Sequence, residues 1–237
     1  MTASTGRPLA GRRCAVTGAS RGIGAAIARH LAAAGAELAL IARTATELER
    51  LADQLRADGA AAVVVAVADV SRPDQVDAAA AAVRGALGPI DVLVNNAGIV
   101  LRKPTAAITD AEWRHMMAVN LDGPFYVTRA FADDLRARRG RVINVASIAG
   151  RQGTPLLASY CAAKHGLVGL TRALAEEWRD EVVVNAICPG SVDTDMLRQG
   201  MPGARPAMTA DDVARAALFL AADAPRAMTG SCMDVFG

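Results

Sequence analysis

The sequence is poor in residue types that often announce a function. Aromatics make up 3% of its 237 residues, and tyrosine and lysine occur twice each, against 24 arginines. A net charge of +2, with acids and bases interspersed, leaves no concentrated basic surface. So few aromatics also leave no row of stacking platforms, and a nucleic-acid surface is not expected. The four cysteines, Cys14, Cys161, Cys188 and Cys232, form no CxxC pair and match no metal-ligand spacing. The three histidines are scattered, so reduced structural thiols and no metal site are expected. The longest apolar run is AAAVVVAVA at 60–68, far short of the ~18 residues a membrane span needs. The N-terminal stretch lacks the apolar core of a signal peptide. These absences lead to the expectation of a soluble cytoplasmic protein.

What is present is alternation. Short apolar runs at 12–18, 36–42, 61–69, 90–98, 140–147 and 182–190 each precede a longer, mostly helical segment, and 231–237 forms a last short run. The intervening helices are predicted at 22–35, 44–59, 72–88, about 110–138, about 158–180 and 210–223. The strands are continuously apolar, as expected when helices cover both faces of a sheet. The fold class that follows is α/β, a Rossmann-like doubly wound parallel sheet of about seven strands flanked by helices. No linker interrupts the chain, so one domain is expected over 1–237. An eight-fold barrel is the alternative; it would need one more strand.

The first strand ends in TGASRGIG, residues 17–24, with Gly18, Gly22 and Gly24 in a G-x3-G-x-G spacing. Glycines there permit a tight turn and close backbone approach to a pyrophosphate, and the following helix offers its N-terminal N–H groups. At the end of the second strand an NAD site usually carries an acid for the ribose 2′-hydroxyl. Here Ala42 and Arg43 stand in that region, with Arg21 in the glycine turn. Guanidinium groups suit a 2′-phosphate, so NADP(H) is expected in preference to NAD(H).

The two scarce residue types meet once. Tyr160 and Lys164 lie four positions apart, one helical turn, and so can share a face.

Together TGASRGIG (17–24), DV (69–70), NNAG (95–98), Asn120, Ser147, YCAAK (160–164) and PGSVDT (189–194) resemble the short-chain dehydrogenase/reductase family. The resemblance runs along nearly the whole chain, and the subgroup it looks most like is the 3-oxoacyl-acyl-carrier-protein reductases. It implies a tetrad of Asn120, Ser147, Tyr160 and Lys164, with Asn120 holding a water that links Lys164 to solvent. It implies cofactor contacts from Gly18, Ser20, Arg21, Gly22, Ile23, Gly24 and Arg43. Asp69 and Val70 would contact the adenine. Asn95, Asn96, Ala97 and Gly98 would shape the adenosine side of the cleft. Pro189, Gly190, Val192 and Thr194 would lie by the nicotinamide, and Tyr160 and Lys164 by its ribose. Residue chemistry agrees: a carbonyl accepting hydride needs a proton donor, and a cation beside a tyrosine favours its phenolate. Asn144 and Asn185 read as structural hydrogen-bonders.

The implied activity is NADP(H)-dependent interconversion of a ketone, such as a 3-oxoacyl thioester, and a secondary alcohol. Sugars, steroids, polyketides and cyclic alcohols are alternative substrates, and a non-catalytic NADPH-binding regulator is the reading of another class. The segment after PGSVDT, 195–214, looks about ten residues shorter than in the reductase subgroup and carries Met196, Leu197, Met201 and Met208. The expected partners are a small carbonyl or alcohol and further copies of the chain, as a homodimer or homotetramer. The run RARRGR (136–141) reads as a solvated helix end, with an acidic acyl carrier protein as the alternative contact.

Overall fold

The computed structural model describes residues 6–236; the ends of the expected 1–237 domain, residues 1–5 and 237, lie outside the described residues. Seven strands, β1 (Arg13–Thr17), β2 (Glu37–Ala42), β3 (Val63–Val67), β4 (Val92–Asn95), β5 (Arg141–Val145), β6 (Val183–Pro189) and β7 (Cys232–Val235), form one sheet in the order β3-β2-β1-β4-β5-β6-β7. Every pairing is parallel. Parallel pairing forces each connection to cross over the sheet, which puts helices on both faces and all strand C-termini at one edge. The strand order reverses between β1 and β4, the place where open α/β sheets leave a crevice.

Helices α1 (Gly22–Ala33), α2 (Ala45–Ala57) and α3 (Pro73–Leu87) follow the first three strands. One core, around Ile27, Leu31, Leu40 and Leu48, lies on the α1 and α2 face. The other, around Val83, Leu93, Phe131 and Trp178, lies on the face covered by α3. Cys14, Cys161 and Cys188 are buried and Cys232 is half-buried, all as free thiols.

The long helix predicted at about 110–138 is divided. Helix α4 (Asp110–Met117) passes into a π-helical turn, Ala118–Asp122, then α5 (Gly123–Ala130) and α6 (Ala132–Ala137). Pro124 is the physical reason for the first break. Its nitrogen cannot donate, and its ring would crowd the carbonyl of residue 120 in a regular helix. The sequence periodicity continues through the break, so it hid it. Next come α7 (Ala158–Glu177), the short α8 (Asp195–Gly200) and α9 (Ala210–Ala222). Helix α8 lies in what the sequence showed only as a polar excursion, and it begins where the Thr194 hydroxyl accepts the amide of Leu197 at 3.2 Å.

At the N-terminal edge of the sheet, Asp91 is 1% exposed. It accepts hydrogen bonds from Arg12 Nη1 (2.8 Å), the Arg13 amide (3.0 Å) and Arg138 Nε (3.1 Å). The basic run 136–141 is a solvated helix end, exposed over 136–139, but three of its four arginines are engaged. Arg138 is bound to Asp91, Arg136 pairs with Glu181 at 3.0 Å, and Arg141 donates to the carbonyls of Leu220 and Ala224. Burial works to raise the Asp91 carboxyl, but the Arg13 amide, Arg12 and Arg138 together hold it below the usual carboxylate value. A depressed folded value contributes stability above the unfolded carboxylate range that is lost as pH falls through it. Asp91→Ala should therefore lower unfolding free energy by about 2 kcal/mol at neutral pH. It should also flatten the acid limb of the stability profile, both measured by urea denaturation between about pH 3 and 7.

Candidate active site

The C-terminal ends of the strands open into one cleft of about 1110 Å³. Its first wall is the glycine turn. Gly18 and Gly22 have φ of +63° and +55°, the left-handed region that favours glycine. A Cβ on Gly18 would stand 2.8 Å from the Ala97 Cα, so β1 and the 95–98 turn can approach only without one. No side chain caps the first turn of α1, and its N–H groups remain available to an anion. Gly18, Ser20, Arg21, Gly22 and Ile23 line the cleft. Gly24, expected as a cofactor contact, is buried behind the turn and is not in the wall. A Cβ there would lie 2.2 Å from the Gly18 carbonyl oxygen, so its smallness serves the close packing of helix on turn.

Arg43, the first residue after β2, is exposed on the cleft wall and makes no ion pair among the described residues. Beside it Asp69 accepts from the Ser71 amide (2.9 Å) and hydroxyl (2.7 Å). Burial opposes ionisation of Asp69, but those bonds, with the charges of Arg43 and His115, lower its carboxyl overall. Val70, Asn96, Ala97 and Gly98 complete this side. The Asn96 side chain points back into the protein, donating to the carbonyls of Thr17 (3.1 Å) and Gly18 (3.2 Å). Sequence reasoning missed Thr17, whose hydroxyl accepts both the Asn96 and Ala97 amides at 3.0 and 3.1 Å. A hydroxyl immediately before the first glycine was its only signal. Uncapped helix N–H groups, a turn that admits no Cβ and unpaired Arg43 together fit a phosphorylated dinucleotide.

The other half of the cleft holds Ser147 after β5, Tyr160 and Lys164 on α7, and Pro189, Gly190, Val192 and Thr194 after β6. Three of the expected tetrad thus share the wall. Asn120 lies behind it, fully buried in the π-helical turn. Its amide donates to the carbonyls of Ile99 and Met116, each at 3.1 Å, and its oxygen accepts the Ile99 amide at 3.2 Å. Those bonds hold the segment after β4 in place. A Cβ on Gly98 would lie 2.9 Å from Asn120 Oδ1 and 3.7 Å from Lys164 Nζ, so Gly98 is the gap through which the two face each other.

Lys164 is 3% exposed and donates to the Val145 carbonyl at 2.8 Å. Its Nζ is 5.8 Å from the centre of the Tyr160 ring. Burial pushes Tyr160 up to about 12, with the Ser147 hydrogen bond opposing it. The Lys164 ammonium is turned toward Val145 in this arrangement, and burial is the larger influence on the phenol. Burial also lowers Lys164 to about 8. A neutral phenol beside a serine hydroxyl can donate a proton to an oxyanion formed in the cleft.

The substrate side is closed by residues the sequence did not single out. Val100 on one wall meets the end of α8, where a Cβ on Gly200 would come 2.9 Å from the Val100 Cγ2. Phe236 packs against Gly190, whose added Cβ would be 3.0 Å from its ring. Neither contact has a local sequence signal, because each joins residues 46 or more positions apart. Gln152, Thr154 and Gln199 supply uncharged polar groups to this half of the wall.

The fold, the glycine turn and the Ser147–Tyr160–Lys164 grouping coincide with a family match: the chain belongs to the short chain dehydrogenase family, whose model covers residues 12–203. It is therefore an oxidoreductase of that class. The chain is 40% identical to galactitol 2-dehydrogenase (L-tagatose-forming) of Cereibacter sphaeroides, over 97% of this chain and 95% of that one. It is 34% identical to the 3-oxoacyl-acyl-carrier-protein reductase of Escherichia coli (strain K12), over 96% of each. Among solved structures, a gluconate 5-dehydrogenase from Burkholderia cenocepacia in complex with NADP and tartrate superposes with a TM-score of 0.91 at 35% identity, covering 97% of this chain and 95% of that one. No helix among the described residues is long and apolar enough to cross a membrane, and those residues contain no cluster of metal-ligating side chains.

The low Lys164 value carries a stability prediction. The unfolded chain keeps the Lys164 proton up to about 10.5, the folded chain only to about 8. Between those values the unfolded state binds more protons, so Lys164 makes stability rise with pH through that window. Lys164→Met should remove the rise. Urea midpoints from pH 7 to 10 should climb less steeply in the variant than in the wild type. Measurements should stop near pH 10, where Tyr160 begins to act with the opposite sign.

Proposed function

We propose that the protein interconverts a ketone and a secondary alcohol with NADP(H). The observation that carries this reading is the buried Tyr160 phenol sharing with Ser147 and Lys164 the wall of a cleft whose other end fits a dinucleotide. The cofactor, when bound, supplies or accepts the hydride. This chain's residues do the rest. Ser147 orients the substrate oxygen, and Tyr160 gives that oxygen a proton in reduction or takes it in oxidation. Lys164 stands behind Tyr160 and can turn from Val145 toward the ribose. Asn120 fixes the Ile99 segment across Gly98 from Lys164, a position suited to a water relay. Arg43, supported by Arg21, favours the 2′-phosphate, in keeping with the NADP bound in the similar gluconate dehydrogenase.

The substrate half favours a neutral compound. Among the described residues its wall combines Met196, Leu197 and Met201 with Gln152, Thr154 and Gln199. Amide and hydroxyl groups there suit a polyhydroxylated substrate, as the similarity to a galactitol dehydrogenase supports. A short 3-oxoacyl thioester is the second reading, supported by the methionine side of the wall and the similarity to a carrier-protein reductase. Docking of a carrier protein on 136–141 is disfavoured, because that run lies at the strand N-termini, opposite the cleft, with three of its four arginines engaged. Assembly as a dimer or tetramer finds support in Phe125, 41% exposed on α5 with the Arg129 guanidinium over its ring. Leu167, Leu174 and Trp178 of α7 are buried within the chain and are not part of such a face.

The test is NADPH consumption across a panel of neutral polyhydroxy ketones, 3-oxoacyl thioesters and carboxylate-bearing ketones. The first two classes should turn over and the third should not. Tyr160→Phe should lower turnover by about 10²–10⁴-fold; a variant that keeps wild-type turnover would refute the acid–base assignment. Arg43→Ala should raise KM for NADPH by about tenfold to a hundredfold while leaving KM for NADH unchanged.

A further inference from the structure

Beneath the cleft runs a line of buried polar side chains that no catalytic step uses. Asn95 on β4 and Asn144 on β5 are register partners in the sheet. Asn95 Nδ2 donates to Asn144 Oδ1 at 2.9 Å and to the Thr128 hydroxyl of α5 at 2.9 Å. Asn144 Nδ2 donates to the Thr171 hydroxyl of α7 at 2.9 Å, and Thr171 donates on to the Leu167 carbonyl at 2.7 Å. All four residues are buried. The chain of bonds thus begins on α5, crosses two strands and ends on α7.

Helix α7 carries Tyr160 and Lys164, and the π-helical turn that runs into α5 carries Asn120. Thr171 lies two helical turns beyond Lys164, and Thr128 about two turns beyond Asn120. Asn144 immediately precedes Val145, whose carbonyl receives Lys164 Nζ. The sheet therefore grips α7 at two points on one stripe, through Asn144–Thr171 and Val145–Lys164. The Asn95 amide oxygen has no hydrogen-bond partner among the described residues. A buried unsatisfied acceptor is costly. Its retention is intelligible if the amide is needed for what its nitrogen holds.

We infer that the Thr128–Asn95–Asn144–Thr171 bridge sets the rotation and spacing of the two catalytic helices, making Asn95, Asn144 and Thr171 positioning residues for Tyr160 and Lys164. None of them touches the cleft wall. Apolar packing alone leaves a helix some freedom to slide and rotate, whereas a buried hydrogen bond has one short, directional optimum. The inference rests on the ketone–alcohol reading for its kinetic arm only.

The test uses the full-length protein and Thr171→Val, which keeps the shape and deletes the hydroxyl. At a temperature well below its Tm, kcat should fall about tenfold or more while the Kd for NADPH stays within twofold. Backbone hydrogen exchange should quicken over 158–164 but not in α1. Thr171→Ser should restore both. Thr128→Val is the parallel variant for the other helix, with faster exchange over 118–130, and it replaces Thr171→Val if that chain does not fold. Folded variants with wild-type kcat and wild-type exchange would overturn the inference, as would a loss of kcat matched by an equal loss of NADPH affinity. If the wild type reduces no ketone, the functional reading fails, and hydrogen exchange still decides whether the bridge positions the helices.

Discussion

Burial of the Lys164 ammonium is the constraint around which the site is built. A lysine that is almost fully buried needs a partner, and the Val145 carbonyl supplies one only because β5 ends where α7 passes. That contact sets the level of α7 against the sheet and so the height of Tyr160 in the cleft. It also requires Gly98 on the other side, since a side chain there would crowd Asn120 and approach the ammonium. The dry surroundings that lower Lys164 raise Tyr160, so the same burial keeps the phenol protonated and the amine closer to neutrality than in water.

Parallel strands separate the molecule into two ends with different electrostatics. At the strand N-termini, guanidinium groups are consumed by Asp91, by Glu181 and by backbone carbonyls. At the C-termini, Arg43 remains unpaired and Arg21 is only loosely engaged with Asp195 at 3.9 Å, both side chains of that pair being exposed. A phosphate arriving at the cleft meets cations whose competing partners are weak. Stability charges and ligand charges are thus kept apart by the direction of the chain.

The fold was legible because continuous apolar strands and helical segments alternate with almost no exception, and the structure matches the seven expected strands. The grouping of Ser147, Tyr160 and Lys164 was legible because tyrosine and lysine are scarce here, so their meeting at one helical turn stands out. The break after Met117 was not legible, since one proline in an otherwise periodic stretch does not say where the ladder yields. That Gly24 packs behind the turn, and that the Asn96 amide turns into the protein while the residue still lines the cleft, was hidden for a related reason. A motif shows which residues the turn needs, but only packing shows which of them face the ligand and which face the protein. Thr17, Phe236 and the Val100–Gly200 contact depend on pairs distant in the chain. The burial of Tyr160 was not legible, because spacing reveals a neighbouring charge and says nothing of solvent.

The π-helical turn at Ala118–Asp122 has a consequence for how such a sequence tolerates insertion and deletion. A π turn carries one residue more than the α-helix it interrupts. Removing one residue there would shorten the turn and rotate the helix before it by about 100°. Met116, which is buried, would then leave its place on the cleft wall, and the Asn120 bonds that hold the Ile99 segment would be broken. This segment is therefore a place where a length change of one residue counts for more than most substitutions.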